Sequence, residues 1–340
     1  MNEGLSAGSS RQAQLVSMKK LAYAALALAT PAIAHNSVSH DPNLPAPTKA
    51  QIHEVADAVA RYQDFEVARR EGWVKFGGDE PLMGEHWHLD KDGPDYIDNQ
   101  PLDFSRPSNL MYTDIGGRRV LTGVAFIVRI APGDPVPDGF YGGADHWHVH
   151  DFEHAVEAAL VDRPILRWLV NGWIDKNYRQ KGDNRGRVAM VHAWVTLPNP
   201  DGVFANYNRT IPYLKLGLPV DYANGASTEA AQGLNLASKA GCVDAIDGRV
   251  WIANLSRATS KALHASCDAE SAAIRTKLKA SAAEINDVAA QGWARFDAQW
   301  AKLLTLQQRD RIAAMNEHGD GDGHDMSKMS DMAMPGHEHH

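Results

Sequence analysis

Histidines carry the chemistry open to this chain. Gly84-Glu85-His86-Trp87-His88-Leu89-Asp90 recurs as Ala144-Asp145-His146-Trp147-His148-Val149-His150. Each copy reads acid, His, Trp, His, aliphatic. Side chains alternate between the two faces of a β-strand. The first copy then puts His86, His88 and Asp90 on one face, with Glu85, Trp87 and Leu89 on the other. The second groups His146, His148 and His150 opposite Asp145, Trp147 and Val149. If the two strands lie side by side, these rings converge beside a Trp-lined apolar layer. A third strand over Arg187 to Leu197 places His192 on the same face as Trp194.

Neutral imidazole is the commonest protein metal ligand and suits zinc, copper, iron and nickel. The doubled pattern makes His86, His88, His146, His148, His150 and His192 candidate metal ligands. The expected ion is copper, with zinc as the alternative. Glu85, Asp90, Asp145 and Asp151 are candidate acid–base partners, or anchors for the imidazoles. The competing reading is plainer: histidines that hydrogen-bond at the rim of a Trp-rich core.

A second set of donors closes the chain. His318, His324, His337, His339 and His340 mix with Met326, Met329, Met332 and Met334 over residues 318–340. Such a segment cannot bury a core, so disorder is expected. Thioether sulfur is a soft ligand that selects Cu(I), while imidazole takes Cu(II) or zinc. A tail holding both is similar to the metal-capturing tails of copper-handling periplasmic proteins.

The rest of the chain must position these residues. Its 340 residues carry 44% hydrophobic and 22% charged side chains, the balance of a soluble globular protein. The net charge of −8 gives no footprint for nucleic acid. Residues 1–34 read as leader and signal peptide. Lys19-Lys20 supplies the basic region, Leu21 to Thr30 the apolar run, and Ala32-Ile33-Ala34 the small-x-small cleavage site. The apolar run is too short for a stable membrane span. A periplasmic or secreted location follows, in which Cys242 and Cys267 are expected to form a disulfide that staples a helix pair.

Residues 35–80 are expected to hold a lead-in and one helix from Thr48 to Glu71, with Ile52, Val55, Val59, Tyr62 and Phe65 on its buried face. Residues 81–222 read as a β-rich domain carrying the histidine motifs, with Gly116-Gly117 as a turn into a long strand from Arg119 to Ile130. A helical insertion from Phe152 to Tyr178 is expected to pack Trp168, Leu169, Trp173 and Ile174 against the sheet. Residues 223–317 read as helical, with Ile285, Ala289, Trp293 and Phe296 forming a bundle stripe. The fold class is α+β: a β-rich core, sheet or barrel-like, with a helical insertion and an α-helical C-terminal region.

One resemblance covers residues 83–208. It rests on Met83-Gly84-x-His86-Trp87, on Leu102-Asp103-x-Ser105-Arg106-Pro107 and on Leu110-Met111-Tyr112. It continues through Leu121-x-Gly123-Val124-Ala125-Phe126, Asp145-His146-Trp147-His148-x-His150, His192-Ala193-Trp194 and Asn199-Pro200-x-Gly202-x-Phe204. On these motifs the stretch resembles an uncharacterised family of secreted bacterial proteins. The resemblance implies an exported β-rich module and brings no activity with it.

Three functions fit the sequence. The first is a periplasmic metal-binding protein that handles copper, with the ion and other metal-handling periplasmic proteins as partners. The second is a metal-dependent enzyme using the same histidines with an open coordination position. The third is a metal-free adaptor or chaperone working through its helices, since Leu304-Thr305-Leu306-Gln307-Gln308 resembles the Leu-Thr-x-x-Gln signature of small periplasmic stress chaperones.

Overall fold

The computed structural model describes residues 44–89, 96–97, 101–131, 133–142, 146–151, 157, 159–177 and 187–316. The signal region, Asp90, Asp145, His154 and the His/Met tail lie outside the described residues. The fold is mixed α+β, built on an open sheet with helices before and after it among the described residues.

Helix α1 (Ala46–Val59) buries Ile52, Val55 and Val59, spaced three and four apart, against the sheet. It starts before Thr48, whose hydroxyl instead donates to Tyr141 O at 2.9 Å. The expected single helix is broken. A 3₁₀ turn at Ala60–Gln63 leads to Asp64, whose carboxylate accepts from Glu66 N and starts a separate α2 (Phe65–Arg70). An N-cap aspartate satisfies an otherwise orphaned amide, which favours restarting the helix there.

The strands are β1 (Trp73–Glu80), β2 (Gly84–Leu89), β3 (Tyr96–Ile97), β4 (Asn109–Ile115), β5 (Arg118–Ile130), β6 (His148–Asp151) and β7 (Arg187–Ala193). Their order is β1-β2-β4-β5-β7-β6, all antiparallel, with β3 pairing parallel to β5. Gly116 and Gly117 make the β4–β5 turn with φ of +62° and +85°, values that favour glycine. Long β5 sends Val124, Phe126, Val128 and Ile130 into the main core. Leu110 and Tyr112 of β4 and Ala189, Val191 and Ala193 of β7 join them.

Glu85, a sequence candidate for chemistry, is spent on this side of the sheet. It accepts from Arg119 Nε at 2.7 Å, Lys75 Nζ at 2.9 Å and Trp87 Nε1 at 3.0 Å. Burial pushes its pKa up, but the Arg119, Lys75 and Trp87 hydrogen bonds outweigh that and hold it low. Glu85 is a structural anion that ties β1, β2 and β5 together.

After β6, helix α3 (Pro164–Asn177) leaves the sheet. The expectation that Trp168, Leu169 and Trp173 pack on the sheet is not met, while Ile174 is half-buried. Trp168 is 73% exposed, Leu169 54% and Trp173 56%.

The C-terminal region is α4 (Thr210–Leu216), α5 (Thr228–Ala237), α6 (Gly241–Ile252), α7 (Arg257–Arg275), α8 (Ala282–Leu303) and α9 (Leu306–Asn316). Ser227, Ser256 and Ser281 cap α5, α7 and α8 through their hydroxyls. Ile285 and Ala289 of α8 pack with Leu234 and Ala237 of α5, while Trp293 and Phe296 pack with Ile246 and Leu263. The disulfide Cys242–Cys267 staples α6 to α7, as the sequence led us to expect. Closing that 25-residue separation contributes about 3 kcal/mol in the chain-entropy account. The Leu-Thr-x-x-Gln stretch has a local explanation. Gln308 N donates to Thr305 Oγ1 and Thr305 N to Gln308 Oε1, a capping box that opens α9.

Charge joins sheet to helices. Lys215 of α4 donates to Asp79 of β1 at 3.1 Å, and both side chains are largely buried. Asp244 of α6 belongs to the same charged group. Burial pushes its carboxyl up to about 6, and neighbouring Asp79 adds to the rise. Its Oδ2 is buried with no hydrogen-bond partner among the described residues. A raised folded pKa means that Asp244 favours the fold below pH 3.8 and opposes it once pH passes 6. Asp244→Asn should therefore raise stability at pH 7.5 by about 1 kcal/mol, a figure discounted for partial exposure, and have no effect near pH 4. Urea unfolding at the two pH values checks this.

Candidate metal centre

The second face of the sheet carries the histidines. Alternation puts Trp87 and Leu89 with the main core, so His86 and His88 face the other way. Trp147 and Val149 also join the core, and His148 and His150 take the second face with Met190 and Trp194 of the β7 side. The motif strands are not neighbours, contrary to the side-by-side expectation. β4, β5 and β7 separate β2 from β6.

The rings meet nonetheless. His86 and His192 have centroids 5.6 Å apart, His192 and His148 5.0 Å, and His148 and His150 5.1 Å. Two strands lie between His86 and His192, so a flat sheet would hold their backbones about 14 Å apart. The rings meet across β4 and β5, where Met111 and Gly123 continue the row of His86 and Ala125 lies opposite His192. Gly123 lets the face close. A Cβ there would stand 2.7 Å from Ala193 O and 3.2 Å from the Trp194 ring.

Of the six candidates, three are inside: His86 is 8% exposed, His148 2% and His192 0%. His150 is half-buried beside His148. The other two stand apart. His88 meets the ring of Phe76 at 5.7 Å, and His146, which precedes β6, stacks on Phe204 at 4.5 Å. Asp151 ends β6, opposite Arg187.

Neighbouring rings in the row His86–His192–His148–His150 have, pair by pair, the separation of two imidazoles on one ion. Imidazoles on one tetrahedral ion, with bonds of about 2.0–2.1 Å, place their centroids about 5 Å apart. Burial pushes the His86 pKa down to about 4, so the ring is neutral and able to ligate at pH 7. Its Nε2 is buried with no hydrogen-bond partner among the described residues. His192 Nδ1 lies 2.8 Å from Asn206 O. A neutral ring there donates from Nδ1, which leaves the buried Nε2 as the nitrogen with the lone pair. That is the outer-shell arrangement that orients ligating histidines. Among the described residues no set of three His, Cys, Asp or Glu forms a ready-made ligand shell.

Sequence reasoning missed the methionines. Met111 lies directly across from His86, and Met190 directly across from His148. Directly opposed residues have Cβ atoms about 4.5–5.5 Å apart. Met83, Met111 and Met190 pack with Trp194, Leu197, Ile211 and Leu214 over the same face. The signal was there in Met190-x-His192, a period-two pair.

No protein-family model, curated protein or solved structure matches this chain.

Gly123→Ala should cost about 1–3 kcal/mol, because its Cβ meets backbone that cannot step aside. The same change at exposed Gly117 leaves the packing of this face untouched. Comparing the His192 side-chain NMR resonances in the two variants checks it: only Gly123→Ala should shift them.

Proposed function

We propose that this protein binds copper in an exported compartment, through the buried row His86–His192–His148 and the methionines opposite it. The observation that carries the reading is the pairing of His86 with Met111 and of His148 with Met190, on one face with His192. Neutral imidazoles alone suit zinc as well as copper. Buried thioethers beside them favour Cu(I), the soft ion. The half-buried His150 lies at the accessible end of the row and provides the way in. The His/Met tail, by the same donor chemistry, collects copper and delivers it to the folded site. The signal-like N-terminus and the Cys242–Cys267 bridge support an oxidising, exported setting.

The test uses a chain ending at Asn316, so that the tail contributes nothing. Titrated with Cu(I) against the chromogenic chelator bicinchoninate, it should hold about one equivalent. His192→Ala or His148→Ala should weaken binding at least about tenfold. Met190→Leu should weaken Cu(I) while leaving Zn(II) binding in place. Unchanged Cu(I) affinity in both histidine variants, or binding only when the tail is present, overturns the proposal.

A further inference from the structure

Helix α3 turns most of its large apolar side chains to solvent, with Val170 and Ile174 half-buried. Ile165 is 75% exposed, Trp168 73%, Trp173 56% and Leu169 54%. At 100° per residue, Ile165, Leu169, Trp173 and Leu166 fall on one arc, with the cation Lys176 inside it and Trp168 60° beyond its edge. Arg167, Asn171 and Asp175 occupy the other side. A helix in a globular protein ordinarily buries such an arc; this one leaves it outside.

The local charge opposes that of the chain. From Arg163 to Asn177 the chain carries Arg163, Arg167 and Lys176 against Asp175, hence +2, in a protein whose net charge is −8. Asp162, just before the helix, is engaged by Arg311 and Gln307 of α9. That contact brings the start of α9 beside the patch, where Leu306 is 71% exposed. No described helix is long and apolar enough to cross a bilayer.

We propose that α3 docks this protein on an anionic phospholipid surface, lying in the headgroup layer with Trp168, Trp173, Leu169 and Ile165 inserted. Tryptophan favours the membrane–water boundary. A basic amphipathic helix binds there by apolar burial together with attraction to acidic headgroups. A second copy of the chain fits less well. A two-fold contact through the arc would bring two segments of like, positive charge together. The inference is independent of the copper reading, since it uses none of the same residues.

Full-length mature protein is mixed with vesicles of phosphatidylglycerol and phosphatidylcholine, or of phosphatidylcholine alone, at pH 7.5 with EDTA present throughout. It should sediment with the anionic vesicles, release in high salt and ignore the neutral ones. The Trp168→Glu, Trp173→Glu double variant should lose at least about tenfold in partitioning. Its near-UV circular dichroism and thermal midpoint should stay close to those of the parent, as both rings are largely exposed. Arg167→Glu with Lys176→Glu should weaken binding to anionic vesicles selectively. No sedimentation with anionic vesicles, or equal sedimentation of the Trp variant, overturns the proposal. So does a concentration-dependent dimer that the Trp variant dissolves while vesicles bind neither form.

Discussion

The turn from Trp194 to Asn208 folds back on β7, and the histidine face depends on it. Trp194 N donates to Val203 O at 2.9 Å and its indole to Ala205 O at 2.6 Å. His192 Nδ1 meets Asn206 O at 2.8 Å, and Asn199 holds Tyr207 O at 2.7 Å. Asn208 N then donates to Leu82 O at 2.9 Å, tying the turn to the lead into β2. Successive carbonyls are thus fixed by one strand end, and one of them orients the central imidazole. Without this strap His192 would keep its burial but not its direction.

The strap works only because the strand beneath is small. Gly123 and Ala125 leave space on β5 that bulkier residues would fill, and Trp194 lies against Gly123. Larger side chains sit one strand away on either side: Met111 and Met190. The result is a buried face that mixes imidazole with thioether and has few competing charges. Glu85, the carboxylate closest in sequence, is turned away and neutralised by Arg119 and Lys75. A face of this kind keeps histidine neutral, as burial does for His86.

Much of this was legible in the sequence because it is local. Period-two alternation placed His86 opposite Trp87 and His148 opposite Trp147, and both hold. The Gly116-Gly117 turn, the α8 stripe and the cysteine pair also follow from short-range chemistry. Strand order is different. No local pattern says that β4, β5 and β7 separate the two motifs, so alternation alone suggests a side-by-side pairing that the sheet order does not have. His192 became the bridge between them, where the sequence offered it only as a third contributor. The Thr48–Glu71 stretch is two helices because Asp64 caps a new start rather than continuing the first. Helix α3 shows the limit of amphipathic reasoning. Its pattern identifies an apolar arc but does not say whether that arc meets protein or water.

The central claim is that imidazole and thioether on one buried sheet face share a copper ion. X-ray absorption at the copper edge, on Cu(I)-loaded protein lacking the tail, addresses it directly. The account predicts a first shell of imidazole nitrogens with a sulfur contribution that disappears in Met190→Leu. A shell without sulfur, or copper that washes out of the tail-less protein, would contradict it.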